Sequence, residues 1–177
     1  MLRAVWATWP GTDWRGWHHY SGPDSEKWGT RGPNVTPAAS EAIRQMIDRI
    51  GDYVEHDAFP DLELHGAGMH MIRNGGYLRP HLDSSVMEAT GWRREYSCVL
   101  CVNPEWRDDW GGEFVLHETN ESQYPKFNHL MMFETTETAL HEVKQVTAPV
   151  PRCTLSVFFW SLRKPADETR KTARFTR

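Results

Sequence analysis

The spacing of apolar side chains changes along the chain. Ile43, Met46, Ile47 and Ile50 recur at intervals of three, four and seven, which places them on one stripe of a helix. Arg44, Gln45, Asp48 and Arg49 fall on the opposite side. Thr36-Pro37 opens this run: a threonine hydroxyl caps free amides at a helix start, and proline suits the first helical position. Gly51 stands where the stripe stops and is placed to cap or weaken it. From residue 62 the period falls to two. Leu62 and Leu64 alternate with Glu63 and His65, and Met69 and Met71 alternate with His70. Asn74-Gly75-Gly76 is a turn signal. Strands are predicted over 77–83, 95–102, 113–117, 130–133, 140–143 and 153–162, with polar loops over 84–93 and 118–128. Short strands separated by turns, with no helices between them, predict a mainly β sandwich or jelly roll. The helix is expected to pack on its outside.

The two ends are less patterned. Residues 1–35 are rich in Gly, Pro and Trp, and a short strand near 4–7 followed by irregular chain is expected there. The tail over 163–177 is basic without an apolar pattern, so it is predicted to be mobile or to reach a partner. The organisation implied is one domain over 1–177. It comprises a Trp-rich segment and helix up to residue 60, a core over about 62–162, and the tail.

Composition narrows the function classes. A length of 177 residues suits one domain with a sizeable core. A net charge of −4 gives no reason to expect nucleic acid or an anionic membrane as partner. No apolar run is long enough to span a bilayer, and the N-terminal apolar stretch is too short for a signal peptide, so a cytoplasmic protein is expected. The 3 cysteines argue against a disulfide framework. Cys98 and Cys101 spell CxxC, but in a strand an offset of three puts them on opposite faces, and buried thiols are expected. Trp17-His18-His19-Tyr20 is not expected to bind metal, because adjacent imidazoles in extended chain point apart.

The candidate chemistry sits in Gly75-Gly76-Tyr77-Leu78-Arg79-Pro80-His81-Leu82-Asp83-Ser84. His81 and Asp83 share a strand face and would project an imidazole and a carboxylate together. His141, in Leu140-His141-Glu142-Val143, is the chosen third ligand. Two histidines and one carboxylate on one side of a metal, with the other positions open, is the arrangement of non-haem Fe(II) oxygenases.

Further segments follow in order: Trp110-Gly111-Gly112-Glu113-Phe114, then His141-Glu142-Val143, then Arg152-Cys153-Thr154-Leu155-Ser156-Val157. With these, the sequence resembles the Fe(II)/2-oxoglutarate-dependent dioxygenases, in particular their prolyl-4-hydroxylase-like branch, over roughly residues 62–161. The resemblance implies a double-stranded β-helix holding Fe(II) on His81, Asp83 and His141. It implies Arg152 as the anchor of the 2-oxoglutarate carboxylate, with Thr154 on the same strand face as a hydroxyl donor. Dioxygen is the other cosubstrate. Where many relatives carry a 2-oxoglutarate-binding Tyr, this chain has Met71, and Tyr77, four before His81, is the expected substitute. Arg94 is a candidate substrate contact. Gly111-Gly112 and Asn103 are assigned to turns.

The implied reaction is hydroxylation of an unactivated C–H bond, and the branch points to a prolyl residue of a peptide or protein. A free amino acid or another small molecule is the alternative. A non-catalytic cupin-like binding protein and a zinc hydrolase are rivals from other classes, and neither needs a buried arginine opposite the metal.

Overall fold

The structure, a computed structural model, describes residues 3, 5, 17–30, 35–61, 68–163 and 170–176. Among the described residues, twelve strands and one complete α-helix follow in order. They are β1 (Trp17–Ser21), β2 (Glu26–Thr30), α1 (Pro37–Ile50), β3 (Phe59–Pro60), β4 (Gly68–Ile72), β5 (Leu78–Leu82), β6 (Arg93–Cys101), β7 (Phe114–Leu116), β8 (Glu121–Gln123), β9 (Leu130–Glu134), β10 (His141–Val143), β11 (Arg152–Ser161) and β12 (Arg174–Phe175). The larger sheet has the order β1-β2-β4-β11-β6-β9, with β3 also paired to β11, and the smaller has β12-β5-β10-β7-β8. The strand pairs are antiparallel. Two such sheets face to face make the double-stranded β-helix.

Helix α1 forms as its sequence dictates. Thr36 Oγ1 accepts a hydrogen bond from the Ala39 amide, and Pro37 takes the first helical position. Ala39, Ala42, Ile43, Met46 and Ile50 are buried against the outer face of the larger sheet, where they meet Met69, Met71, Leu155 and Val157. Gly51 is right-handed at φ −53 and simply continues into a short 3-10 turn. A second apolar cluster, including Ile72, Phe114, Phe133 and Val143, lies between the sheets.

Strand β11 explains the layering. All ten of its residues are buried. Cys153, Leu155, Val157 and Phe159 join the helix-side core, whereas Arg152, Thr154, Ser156 and Phe158 line a cavity between the sheets. The cysteines follow the alternation argument: Cys98 belongs to the helix-side cluster and Cys101 to the inter-sheet one, both free. Burial pushes the Cys98 thiol up to about 12, so it is an inert apolar filler at neutral pH.

The predicted strands 77–83, 95–102, 113–117, 130–133, 140–143 and 153–162 appear within one or two residues as β5, β6, β7, β9, β10 and β11. The ends differ from expectation. Val5 is helical rather than extended and fully buried, since an apolar run so short carries no decisive period. The rest of 4–7, and residues 62–67, lie outside the described residues. Residues 17–30 are not irregular chain: β1 and β2 form a hairpin that extends the larger sheet. Part of the expected 118–128 loop pairs as β8. The described end of the C-terminal tail, residues 170–176, is tied down. Its β12 pairs with β5, Arg174 opposite Leu82 and Phe175 opposite His81, and the Arg170 backbone bonds Ser85 in both directions. Short polar segments give no periodicity from which such pairings can be read. Among the described residues no helix is long and apolar enough to cross a membrane.

Gly111 and Gly112 build the turn before β7. Both have positive φ, +63 and +72, and a Cβ on Gly111 would lie 2.2 Å from the Gln145 carbonyl oxygen. Gly91 also has positive φ, +73, but opens onto free space. Gly111→Ala is therefore expected to cost clearly more than the roughly 1 kcal/mol expected of Gly91→Ala. Urea unfolding of the two variants measures the difference; equal midpoints would show that the Gln145 contact does not matter.

Candidate active site

Two strand irregularities decide what faces the cavity. On β5, His81 pairs with His141 but Leu78 with Val143, so three residues of β5 stand against two of β10. Without this bulge, residues 79 and 77 would share the face of His81; with it, Leu78 does. Tyr77 is thus turned away from the cavity. Its hydroxyl instead reaches the carbonyls of Gly22 and Pro23 at 3.3 and 3.4 Å. Tyr77 is therefore not placed to bind 2-oxoglutarate; it pins the turn of the β1–β2 hairpin. On β6, Phe159 pairs with Tyr96 but Trp160 with Arg94, and this extra residue turns Arg94 onto the cavity face with Ser97 and Val99.

The result brings His81, Asp83 and His141 together, with one potential ligand atom of each within 4.8 Å of the others. Among the described residues no other such cluster of His, Cys, Asp and Glu occurs. Asp83 Oδ1 lies 3.7 Å from His81 Nε2 and 3.9 Å from His141 Nε2. Two donors about 2.1 Å from one ion are at most about 4.2 Å apart, so these separations fit a shared ion.

The surroundings leave the right atoms free. His81 Nδ1 is 2.8 Å from the Arg79 carbonyl oxygen, and His141 Nδ1 is 2.9 Å from that of Ala139. A carbonyl only accepts, so each Nδ1 carries the proton and each Nε2 presents a lone pair. Asp83 Oδ2 accepts from Ser97 Oγ at 2.8 Å and pairs with Arg94 Nη1 at 3.1 Å, leaving Oδ1 for the metal. Burial by itself would raise the Asp83 pKa; Arg94 and the two histidines outweigh it and hold the carboxyl well below its ordinary value. Burial pushes His141 down to about 4 against the pull of Asp83, so its imidazole is neutral and able to ligate at neutral pH.

Arg94 was expected at the substrate. Its terminal nitrogens are taken up by Asp83 and, at 2.8 Å, by Ser84 Oγ, and its guanidinium lies 3.7 Å from the Phe158 ring centroid. It supports the metal carboxylate. Phe175 stacks on His81 at 5.0 Å, and the Arg170 Nε donates to the Asp83 carbonyl at 3.0 Å, so the C-terminal segment closes the outer side of the site.

Arg152 and Thr154 line the same cavity of about 390 Å³. Arg152 Nε donates to the Gly112 carbonyl at 2.9 Å, which explains why the glycine turn must come so close. Its Nη2 is buried without a hydrogen-bond partner. An unpaired buried guanidinium nitrogen is costly and calls for an anion. The residues thus fit both an Fe(II) ion and a dicarboxylate cosubstrate. Asn103 is structural: it bonds the Pro151 carbonyl and the Cys153 amide at 2.8 and 2.7 Å, holding the start of β11.

Met71, expected at the position of the relatives' 2-oxoglutarate-binding Tyr, points into the helix-side core. Its neighbour His70 faces the cavity instead, 3.3 Å from Ser156 Oγ. The hairpin adds Tyr20 and Lys27, which sequence reasoning missed. Burial lowers the Lys27 pKa, with attraction to Asp83 working against it. In the Trp17-His18-His19-Tyr20 segment, His19 stacks on Trp28 at 4.1 Å and pairs with Glu26, so it is a packing residue.

Comparison with known proteins bears on the family and the fold. The sequence profile of the 2OG-Fe(II) oxygenase superfamily matches residues 67–160. A prolyl-4-hydroxylase from Pseudomonas putida superposes with a TM-score of 0.62 at 22% identity, covering 93% of this chain and 86% of that one. A prolyl hydroxylase from Trichoplax adhaerens, solved with a hypoxia inducible factor peptide fragment, superposes with a TM-score of 0.58 at 15% identity, covering 90% and 74%. A viral collagen prolyl hydroxylase from Paramecium Bursaria Chlorella virus-1, in complex with 2OG, gives 0.57 at 12% identity, covering 79% and 81%. At these identities the likeness is one of fold. No functionally described protein sequence matches the chain.

Replacing Arg94 by Met should lower iron affinity about 10- to 100-fold, because the carboxylate ligand loses its orienting partner. Ser97→Ala, which leaves Arg94 in place, should cost less. Iron titration of both variants tests this; equal losses would show that Arg94 does not orient Asp83.

Proposed function

The chain belongs to the 2OG-Fe(II) oxygenase superfamily, and from that premise we propose that it hydroxylates a prolyl C–H bond, with His81, Asp83 and His141 holding the iron and Arg152 the cosubstrate. When bound, Fe(II) with 2-oxoglutarate and dioxygen supplies the oxidising chemistry, in which the cosubstrate becomes succinate and carbon dioxide and one oxygen atom enters the substrate. The protein's own residues do the rest. His81, Asp83 and His141 would hold the ion at the wall of the cavity. The Arg152 Nη2, with Thr154 two residues on along the same face, would receive the far carboxylate of 2-oxoglutarate. Phe114, Phe133, Val143 and Leu78 form apolar walls that keep water from the reacting centre.

Arg152 is the observation that carries this reading. A metal-binding module or a zinc hydrolase has no use for a buried, acid-free guanidinium facing its metal. The prolyl substrate is supported by the fold shared with proteins described as prolyl hydroxylases. Packing of the hairpin, the helix and the C-terminal strand onto the two sheets supports treating 1–177 as one catalytic unit. Three buried free thiols support a reducing, cytoplasmic setting.

Arg152→Ala should abolish succinate formation from 2-oxoglutarate while iron still binds, and Arg152→Lys should restore part of it. Succinate release with proline-containing peptides, measured beside iron content, decides the matter. Undiminished turnover in the alanine variant would overturn the assignment of Arg152.

A further inference from the structure

The β1–β2 hairpin places one cation that the reaction described above does not use. Lys27 and Gly29 lie on the cavity face of β2, because Gly29 pairs with His70 and His70 faces the cavity. Tyr20 pairs with Lys27 across the hairpin, and the Lys27 Nζ sits 5.4 Å from its ring centroid. Gly29 allows the arrangement: a Cβ there would lie 3.1 Å from the His70 ring and 3.5 Å from the Tyr20 ring. The hairpin is fixed. Its turn is closed by the Gly22 amide on the Ser25 carbonyl, the Arg79 amide donates to Asp24, and the Glu26 amide donates to Tyr77. A strand of the larger sheet is thereby fastened to β5 of the smaller one, with Lys27 held at the cavity between them.

The charges do not balance. Among the described residues, Lys27, Arg94 and Arg152 line the cavity against a single carboxylate, Asp83. Arg94 is paired with Asp83. Fe(II) and 2-oxoglutarate together would add no net charge, so Arg152 and Lys27 both remain as cations, and a cosubstrate carboxylate would occupy Arg152. Lys27 is close enough to Asp83, Arg94 and Arg152 to feel their charges, but no carboxylate among the described residues forms an ion pair with it; Glu26, its neighbour, is paired with His19. A cation facing a partly dehydrated cavity without a counter-charge recruits an anion from the ligand.

We propose that Lys27 binds a carboxylate of the substrate, so that the hydroxylated carbon belongs to a molecule carrying a free carboxylate close to the reacting ring. This rests on the prolyl reading and narrows it. The carboxylate comes from a free amino acid or from a chain ending in proline; a proline inside a polypeptide offers only an amide there.

Three probes separate the cases: L-proline, N-acetyl-L-proline and N-acetyl-L-prolinamide, the last resembling an internal prolyl residue. Binding is measured by calorimetry on the iron- and 2-oxoglutarate-loaded protein without oxygen, and hydroxylation by mass spectrometry after air is admitted. At least one acid should bind at least about tenfold tighter than the amide. Preference for L-proline points to a free amino acid; preference for N-acetyl-L-proline points to a chain end. Lys27→Met should bring the acid down to the level of the amide, and Lys27→Arg should restore the preference. An amide bound as tightly as both acids, or no probe bound at all, would overturn the proposal. Loss of 2-oxoglutarate affinity in Lys27→Met with the acid preference intact would also overturn it, by assigning Lys27 to the cosubstrate. Succinate formation and 2-oxoglutarate affinity of the unchanged protein report on the oxygenase reading separately, so its failure is distinguishable.

Discussion

A carboxylate buried between two sheets has to be kept charged, and much of this structure follows from that constraint. Burial by itself would push the Asp83 pKa up, because desolvation disfavours the anion. The guanidinium of Arg94 prevents this, and it reaches Asp83 only because β6 carries an extra residue next to Glu95. With Ser97 it also occupies one carboxylate oxygen and leaves the other for the ion. The same economy governs the histidines. Backbone carbonyls of Arg79 and Ala139 fix the proton on the far nitrogen of each ring, so no further acid is needed inside the cavity.

The opposite wall is governed by β11, a strand buried on both faces. One face completes the apolar layer beneath α1. The other presents Arg152 with a buried nitrogen that has no hydrogen-bond partner, a costly state that an anionic ligand would relieve. The turn at Gly111 and Gly112, the Asn103 bridge and the β4 pairing all converge on the first residues of this strand. The anchor is thus positioned by backbone contacts from three directions.

Both ends of the chain contribute to the cavity. The N-terminal hairpin and the C-terminal segment come from opposite ends of the chain, and both end at the metal site: the hairpin through Tyr20 and Lys27, the tail through Arg170 and Phe175.

Much of this was legible in the sequence. The resemblance of the motif order to a known family brought His141 and Arg152 to the site, whereas the helix with its threonine cap, the six central strands, the opposed faces of Cys98 and Cys101, and the shared face of His81 and Asp83 follow from side-chain periodicity. These are local properties, or spacings within one strand, and a linear pattern encodes them directly. What remained hidden depended on partners distant along the chain. Tyr77 seemed to share the face of His81 by counting, yet a bulge, set by how β5 registers on β10, turned it away. That Met71 packs into the helix-side core while His70 faces the cavity was decided once β4 paired with β11. The polar hairpin, β8 and the basic tail have no amphipathic signature, because each is ordered by pairing with an edge already in place. Residue types and periods determined the layers and the chemistry; the register between strands, where one extra residue reverses every face, decided which side chains meet in the cavity.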